Sequence, residues 1–338
     1  MALTTDLTTF LGIKHPILLA AMDVVADARL TLAVSEAGGF GILGAGYGDE
    51  AWLRRELAIL TAARRTHGTR FGVGFITWSL AKQPQLMKLV LDARPDAVWL
   101  SFGDPAPFAG QAKAAGVPLI CQVQTVAMAV DAVEKCADIV VAQGSEAGGH
   151  GAARGTFALV PAVVDAVAGR AIVVAAGGVA DGRGLAAALV LGAQGVVVGT
   201  RFYASQEAAG HQLAKERIAA ASGDETVRGL LFDISRRNVW PAPFTGRCLV
   251  NDHARRWSGR ELDLIRHSND EGDRYLAARA AGDFDVAAVI AGEAVDLITD
   301  ILPAAEIVGR ITSEAGALLD RTRSAMARPA ATLPVAAG

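Results

Sequence analysis

The chain has 338 residues, of which 52% are hydrophobic and 20% are charged, which is enough apolar material for a full core and argues against intrinsic disorder. Lysine and arginine number 32 against 35 acidic residues, so the formal net charge is −3, and without a basic excess nucleic acid is not an expected partner. The sequence shows neither a signal peptide nor a transmembrane stretch, so we expect a cytoplasmic protein with no membrane partner.

The cysteines Cys121, Cys136 and Cys248 are widely separated and include no CxxC pair. This spacing argues against a disulfide framework and against a cysteine-based zinc site. We expect all three to be buried small hydrophobic residues. The sequence contains no clustered set of histidine and acidic residues either, so no metal site is predicted.

From residue 17 to residue 200, short apolar runs alternate with segments of helical spacing. The runs are hydrophobic at nearly every position, which is typical of parallel strands covered on both faces. The predicted strands are Ile17–Ala21, Phe40–Leu43, Phe71–Ile76, Ala97–Ser101, Pro118–Val123, Asp138–Ala142, Ala171–Ala176 and Gly195–Gly199. Eight strands joined by helices predict a (β/α)8 TIM barrel, with a doubly wound open sheet as the structural alternative.

The character of the sequence changes after residue 200. An irregular stretch over residues 232–260 contains Trp240, Phe244 and Trp257, and helical patterns resume near residue 275. We therefore predict a barrel over residues 1–209, a smaller, mainly helical C-terminal cap over residues 210–325, and a flexible tail over residues 326–338. The cap is expected to cover the barrel mouth, meaning the end at which the strands have their carboxyl termini.

Two glycine-containing strand ends indicate a phosphate site. The seventh strand runs into Gly177-Gly178 and the eighth into Gly199-Thr200, and Asp181 is placed to cap the helix between them. Barrels often bind phosphate in the loops after these two strands, because glycine lets backbone amides approach the phosphate and a helix start adds positive charge. Tight turns that need glycine for geometry alone are the alternative. The GxGxxG fingerprint of dinucleotide-binding folds is absent.

A glycine-rich segment, Gln143 to Gly151, follows the sixth strand and contains His150. A side chain at this position faces the ligand in a barrel, and imidazole titrates near neutrality, which suits proton abstraction from a weak carbon acid. His150 is therefore the candidate catalytic base. The other histidines are expected to be surface residues or hydrogen-bonded residues without a catalytic role: His15, His67, His211, His253 and His267.

The segment Gln143-Gly-Ser-Glu-Ala-Gly-Gly-His150 resembles the signature of the nitronate monooxygenases, formerly called 2-nitropropane dioxygenases. The segments Ala175–Gly184 and Val198–Phe202 resemble that family's FMN-phosphate motifs. Further similarity lies at Ser35–Gly41 and Pro303–Val308, so the resemblance covers most of the chain. It implies a flavoprotein oxidoreductase: an FMN-containing TIM barrel with a cap.

The resemblance also implies roles for individual residues. Gln143 and Gly148 would contact FMN, and the phosphate would be held by Gly177, Gly178, Val198, Gly199 and Thr200. Met22 would lie beside the isoalloxazine ring, with core packing as its alternative role. Gln122, at the fifth strand end, is a further cofactor candidate. Apolar lining of the substrate pocket is available from Met22, Phe75, Trp78, Trp240 and Phe244, with burial in the cap's own core as the alternative for each tryptophan of the cap.

Two positions depart from the family pattern. Many members carry Gln-Gly-Pro-Met at the first strand end, whereas this chain has Leu19-Ala20-Ala21-Met22. The third strand often ends in Asn-Val-Asn, whereas here it reads Gly72-Val73-Gly74. The missing amide at Gly74 bears on flavin tuning and on the substrate more than on FMN binding.

The resemblance implies oxidation of alkyl nitronates or nitroalkanes by O2 to carbonyl compounds and nitrite, with His150 abstracting the α-proton. The expected partners are that small-molecule substrate and O2, and a homodimer is left open. An NAD(P)H-dependent FMN reductase of quinones or enoyl thioesters is the first alternative, because such enzymes share the barrel and the histidine loop. A flavin-binding sensor or scaffold without turnover is the second. A phosphate-binding isomerase or aldolase is the third, and no lysine at a strand end offers Schiff-base chemistry for it.

Overall fold

The structure is a computed structural model that describes residues 3–326. Its strands are β1 (Ile17–Leu19), β2 (Ile42–Gly46), β3 (Gly72–Ile76), β4 (Ala97–Ser101), β5 (Leu119–Val123), β6 (Ile139–Gln143), β7 (Gly149–Gly151), β8 (Ile172–Ala176), β9 (Val196–Val198), β10 (Thr226–Gly229) and β11 (Thr245–Leu249). Its helices are α1 (Asp6–Leu11), α2 (Ala28–Glu36), α3 (Glu50–His67), α4 (Thr77–Leu80), α5 (Gln85–Asp92), α6 (Ala106–Ala114), α7 (Val126–Glu134), α8 (Thr156–Val167), α9 (Gly182–Val190), α10 (Thr200–Tyr203), α11 (Gln212–Ala220), α12 (Leu231–Ser235), α13 (Asp252–Trp257), α14 (Glu261–Arg266), α15 (Ser268–Ala281) and α16 (Ala304–Met326).

Within residues 3–326, eight parallel strands form one sheet in the order β1-β9-β8-β6-β5-β4-β3-β2. The two ends of this order meet, because the Leu19 amide donates to the Phe40 carbonyl and the Phe40 amide donates to the Ile17 carbonyl, each at 2.9 Å. The sheet therefore closes into a barrel, and the predicted TIM barrel is confirmed. Each of the eight predicted runs overlaps one barrel strand, and the open-sheet alternative is excluded.

The barrel strands are buried on both faces, which explains their nearly continuous hydrophobicity. One set of side chains fills the barrel interior and includes Leu18, Phe40 and Trp99. The alternating set packs outward against the helices and includes Ile17 and Phe75. This parity places Phe75 between sheet and helices, so the expectation that it lines the substrate pocket is wrong.

Residues after β9 build a second hydrophobic cluster, which includes Phe232, Trp257 and Tyr275. This cap contains the helices α11 to α15, and its strands β10 and β11 form a three-stranded antiparallel sheet with β7 of the barrel loop, in the order β10-β11-β7. The helical pattern at residues 286–291 was a wrong prediction, because that segment has no helix. The last helix, α16, instead supplies Ile307 and Ile311 to the barrel cluster. The domain limits after residues 209 and 325 stay a prediction, and the predicted tail lies, from residue 327 onward, outside the described residues.

Cys121 and Cys248 are buried as expected, but Cys136 is exposed. It follows the end of α7 with a φ of +72°, in a turn at the surface, so the expectation of burial is wrong for this residue. No helix between residues 3 and 326 is both long and apolar enough to cross a bilayer. In the same range no group of three histidine, cysteine or acidic side chains converges as metal ligands would.

Candidate active site

The carboxyl ends of the barrel strands bring the predicted site residues to one end of the molecule, the barrel mouth. Met22 follows β1, Gln122 lies near the end of β5, and Gln143 ends β6. Gly177 and Gly178 follow β8, while Val198, Gly199 and Thr200 stand at the end of β9 and the start of α10. The Val198 side chain is fully buried in the layer between sheet and helices, so only its backbone faces the mouth.

Gln143 joins the barrel to the histidine segment. Its Oε1 accepts from Gln122 Nε2 at 3.0 Å and from Gln124 Nε2 at 2.8 Å. Its Nε2 donates to the carbonyl oxygen of His150 at 3.1 Å. The polar atoms of Gln143 thus hold the backbone of β7 in place. Gln124, which the sequence analysis did not single out, is almost fully buried in this network.

Two arginines of the cap fix the loop between β6 and β7. Arg228 donates to the carbonyls of Ser145 and Ala147 at 3.0 and 2.9 Å, and Arg247 Nε donates to the Ser145 carbonyl at 3.0 Å. Burial and the neighbouring Arg247 lower the pKa of Arg228 to about 10, so it stays charged at neutral pH. The loop carbonyls are therefore satisfied by charged donors, which form strong hydrogen bonds.

Gly148 fits this loop for a reason other than the one expected. A Cβ at Gly148 would lie 2.6 Å from the carbonyl carbon of Ala291 and 2.7 Å from the amide nitrogen of Gly292. The close approach of the cap segment therefore requires glycine here. Its predicted contact with FMN stays a prediction.

His150 lies on β7 and pairs with a carboxylate from the cap. Its Nε2 is 2.9 Å from Oδ2 of Asp233, and the two side chains are only 9% and 6% exposed. The other oxygen, Oδ1, accepts from Arg236 Nη2 at 2.8 Å. Burial lowers the pKa of His150, against the hydrogen bond with Asp233, which raises it. At neutral pH the imidazole is therefore uncharged and able to accept a proton.

Aromatic side chains enclose this histidine. The Trp240 ring stacks on the His150 ring with centroids 3.4 Å apart and an interplanar angle of 6°. Phe102 meets Trp240 and Phe244 edge-on at 5.1 Å each. The Trp240 indole Nε1 donates to the Tyr47 hydroxyl at 3.0 Å. Of the expected lining residues, Trp240 thus lies against the His150 ring and keeps bulk water from one of its faces, whereas Phe244 packs on Phe102.

The glycines after β8 form a cradle of free backbone donors. Gly177 and Gly178 have φ values of +97° and +74°, a backbone conformation that favours glycine. Among residues 3–326 no backbone carbonyl accepts from either amide, and Gly178 is exposed. Such paired amides suit an anion. A Cβ built on Gly199, at the neighbouring strand end, would lie 3.9 Å from the Met22 sulfur.

The backbone amides at the start of α9 already donate to carboxylates of the protein. Asp181 caps this helix as predicted, because its carboxylate accepts from the Arg183 amide at 2.9 Å. Glu314 of α16 accepts from the Gly182 amide at 3.0 Å. Two carboxylates therefore satisfy the α9 amides, which leaves the amides of Gly177 and Gly178 and the start of α10 as the donors for a phosphate.

The two departures from the family pattern occupy the same space. Gly74 faces the barrel interior, and a Cβ built on it would lie 2.3 Å from the Cβ of Ala21. A larger side chain at residue 74 would therefore collide with the first strand end. The methyl group of Ala21 fills the volume that an asparagine at residue 74 would need.

Sequence reasoning missed Asp233 and Arg236. The only local signal is an acidic residue inside the apolar run Leu231-Phe-Asp-Ile-Ser235. Nothing in that run indicates a partner 83 residues away, so the pairing becomes visible only when the cap is placed against β7.

The chain is similar to known proteins of one family. The family model described as nitronate monooxygenase matches residues 4–73 and 75–314. Nitronate monooxygenase npaC of Metarhizium robertsii is 36% identical over 90% of this chain and 92% of that protein.

The chain is also similar to solved structures of two enzymes. FabK from Thermotoga maritima has a TM-score of 0.84 at 32% identity, over 96% of this chain and 99% of that one. Nitroalkane oxidase from Streptomyces ansochromogenes has a TM-score of 0.77 at 26% identity, over 95% and 99%. The chain therefore belongs to the nitronate monooxygenase family, a family of flavin-dependent oxidoreductases.

Proposed function

We propose that this protein oxidises alkyl nitronates and nitroalkanes with FMN and O2, giving carbonyl compounds and nitrite, and that His150 is its general base. The observation that carries the proposal is the His150 ring on β7, which is nearly buried, lies 2.9 Å from the Asp233 carboxylate and is stacked on Trp240. Burial lowers the pKa of this ring, and an uncharged imidazole is able to accept the α-proton of a nitroalkane.

The residues at the mouth fit FMN. The free amides of Gly177 and Gly178, together with the backbone of Val198 and Gly199 and the Thr200 hydroxyl, would hold its phosphate. That hydroxyl accepts from the Gly292 amide at 3.0 Å and keeps its own proton to donate. Met22 and Gln122 would face the ring system, and Gln143 and Gly148 would lie in the loop beside it. When bound, FMN supplies the electron-transfer chemistry.

The side chains of the chain supply binding, orientation and the proton acceptor. His150 takes the α-proton of a neutral nitroalkane, whereas a preformed nitronate needs no such step. Gln143 holds the His150 backbone, and Trp240 covers one face of its ring. The aromatic cover keeps water from the reacting carbon and suits an apolar alkyl group.

The test is the visible spectrum of the purified protein, followed anaerobically after mixing with ethylnitronate or propionate 3-nitronate, and separately with NADH. Absorbance of FMN that changes with nitronate and not with NADH supports the proposal. A colourless protein that FMN cannot reconstitute would contradict both the cofactor and the reaction.

An NAD(P)H-dependent FMN reductase is the second candidate. The specific observation in its favour is the similarity to FabK from Thermotoga maritima, whose TM-score of 0.84 exceeds the 0.77 of the nitroalkane oxidase. Nicotinamide can dock over a flavin without a Rossmann fingerprint. Rapid bleaching of the flavin by NADH or NADPH, with no response to nitronate, would favour this reaction over the oxidation of nitronates.

A further inference from the structure

Two side chains of the cap helix α12 form a hydrogen-bonded chain with His150: Asp233 contacts the histidine ring, and Arg236 contacts Asp233. Oδ2 of Asp233 lies 2.9 Å from His150 Nε2, and Oδ1 accepts from Arg236 Nη2 at 2.8 Å. We propose that Asp233 is a positioning residue that fixes the ring tautomer of His150 and so makes Nδ1 the atom that accepts the substrate proton. This inference rests on the proposed role of His150 as the base.

The hydrogen-bonding capacities of the groups determine the tautomer. A carboxylate can only accept, and a guanidinium can only donate. Arg236 therefore donates to one oxygen of Asp233, and the other oxygen still needs a hydrogen-bond donor. The neutral His150 ring meets this need when Nε2 carries its proton, which leaves the lone pair on Nδ1.

The surroundings of His150 keep this arrangement in place. Nδ1 makes no hydrogen bond with residues 3–326 and is not sealed from solvent, so a substrate proton can reach it. The parallel stack with Trp240 opposes rotation of the ring, and Gln143 holds the carbonyl of the same residue. A flip of the ring would put the carbon Cε1 in the place of Nε2 and break the hydrogen bond to Asp233.

Arg236 gives the inference a sharp test. In an Asp233→Asn variant the amide oxygen must face Arg236, because a guanidinium cannot accept a hydrogen bond. The amide nitrogen then faces His150 Nε2 and donates to it. The ring must move its proton to Nδ1, and the proposed base loses its lone pair. A nearly isosteric change should therefore invert the tautomer, as an amide in place of a carboxylate does in serine proteases.

The experiment measures the His150 ring by 15N NMR in wild type and in Asp233→Asn, alongside turnover of a nitroalkane and its nitronate. The expected wild-type spectrum shows protonated Nε2 and unprotonated Nδ1, and the expected variant spectrum shows the reverse. Nitroalkane kcat/KM should fall about 10²–10⁴-fold, while oxidation of preformed nitronate stays within about threefold because it needs no proton transfer. His150→Asn identifies the resonances.

Asp252→Asn is the matched control. Asp252 is also a cap aspartate paired with an arginine three residues later, at 3.0 Å, but it is 73% exposed. This variant should leave both the spectrum and turnover unchanged.

A wild-type ring protonated on Nδ1, or an Asp233→Asn ring that keeps its proton on Nε2, would overturn the inference. An inverted tautomer with undiminished nitroalkane turnover would overturn it as well. Should the wild-type protein act on no nitronate at all, the proposed function fails, and the tautomer measurement still decides the role of Asp233.

Discussion

Two histidines of this protein pair with the same short helix, and only one of them lies at the barrel mouth. Asp233 and Ser235, both on α12, lie 2.9 Å from His150 Nε2 and 2.7 Å from His253 Nε2. Burial lowers the pKa of each histidine. His253 also faces Glu271 at 3.8 Å from its Nδ1, yet its side chain is 0% exposed. The neighbouring side chains of Ser235, His253 and Glu271 are thus not an active site, because no substrate can reach them.

Solvent access and position at the mouth distinguish His150, the proposed base, from the structural histidine His253. His150 lies on a strand beside the cradle of Gly177 and Gly178, whereas His253 joins α12 to α13 inside the cap cluster. The expectation that His253 would be exposed or hydrogen-bonded without a catalytic role agrees with its bond to Ser235. The following predictions test the contrast.

The largest effect is expected for His150→Asn. Nitroalkane kcat/KM should fall about 10²–10⁴-fold, because the proton acceptor is removed, whereas preformed nitronate should retain most of its rate. Steady-state assays with nitroethane and ethylnitronate measure the two. His67→Asn, at the exposed end of α3, is the control. Equal loss on both substrates would contradict the general-base role.

His253→Ala should affect stability instead. Removing a buried ring leaves a cavity and an unpartnered Ser235 hydroxyl, which together cost about 2–4 kcal/mol in the free energy of unfolding. Urea denaturation measures the loss. Turnover per folded protein should be close to that of wild type. A variant of normal stability with no activity would show that the two histidines do not differ in the proposed way.

Trp240→Leu should have a smaller effect, confined to His150. The stacked pair is lost, which is worth about 0.5–1.5 kcal/mol, or roughly 2–12-fold in nitroalkane turnover. The ratio of nitroalkane to nitronate kcat/KM reports it. Trp257→Leu, a buried indole on the His253 side of the cap, is the control for tryptophan loss, and it should lower stability while leaving that ratio unchanged.

The smallest expected effect is on the pH dependence of the free energy of unfolding, to which both His150 and His253 contribute. Each pKa lies below the usual 6.5 in the folded protein, so the unfolded chain binds more protons below pH 6.5. Their contribution to stability is therefore complete above that pH and is lost as pH falls toward the folded pKa. Between pH 6.5 and 5.5, His253→Gln should lose less stability than wild type, by up to about 1 kcal/mol. An unchanged loss in urea titrations would contradict the lowered pKa of His253.

The sequence predicted the barrel because its strands carry a strong and local signal. Runs such as Ala97–Ser101 are apolar throughout, and Asp181 caps its helix from the adjacent position. The location of His150 at the mouth also followed, since a loop after a parallel strand has one possible end of the barrel. The prediction that Phe75 lines the pocket was wrong because a continuous apolar run does not reveal on which face of the strand a side chain lies.

The cap was less predictable for physical reasons. Its strands β10 and β11 are short and carry Arg228, Gly229 and Arg247, so neither shows the alternation of a half-buried strand. The partner of His150 comes from a helix of five residues, too short for a periodic pattern. The tight contact of Gly148 with Ala291 joins chain segments far apart in sequence, so no local pattern indicates it.

The small sheet has a mechanical consequence. Strand β7, which carries His150, comes from a barrel loop, but its neighbour β11 belongs to the cap, with Gly246 opposite His150. A hinged opening of the cap would peel apart the hydrogen bonds that hold the base, and would pull Arg228 and Arg247 from the Ser145 carbonyl. Passage of a small substrate by rotation of rings such as Trp240 and Phe244 leaves those bonds intact. Because β7 joins the barrel to the cap, we expect substrate to enter by rotation of side chains and not by opening of the whole cap.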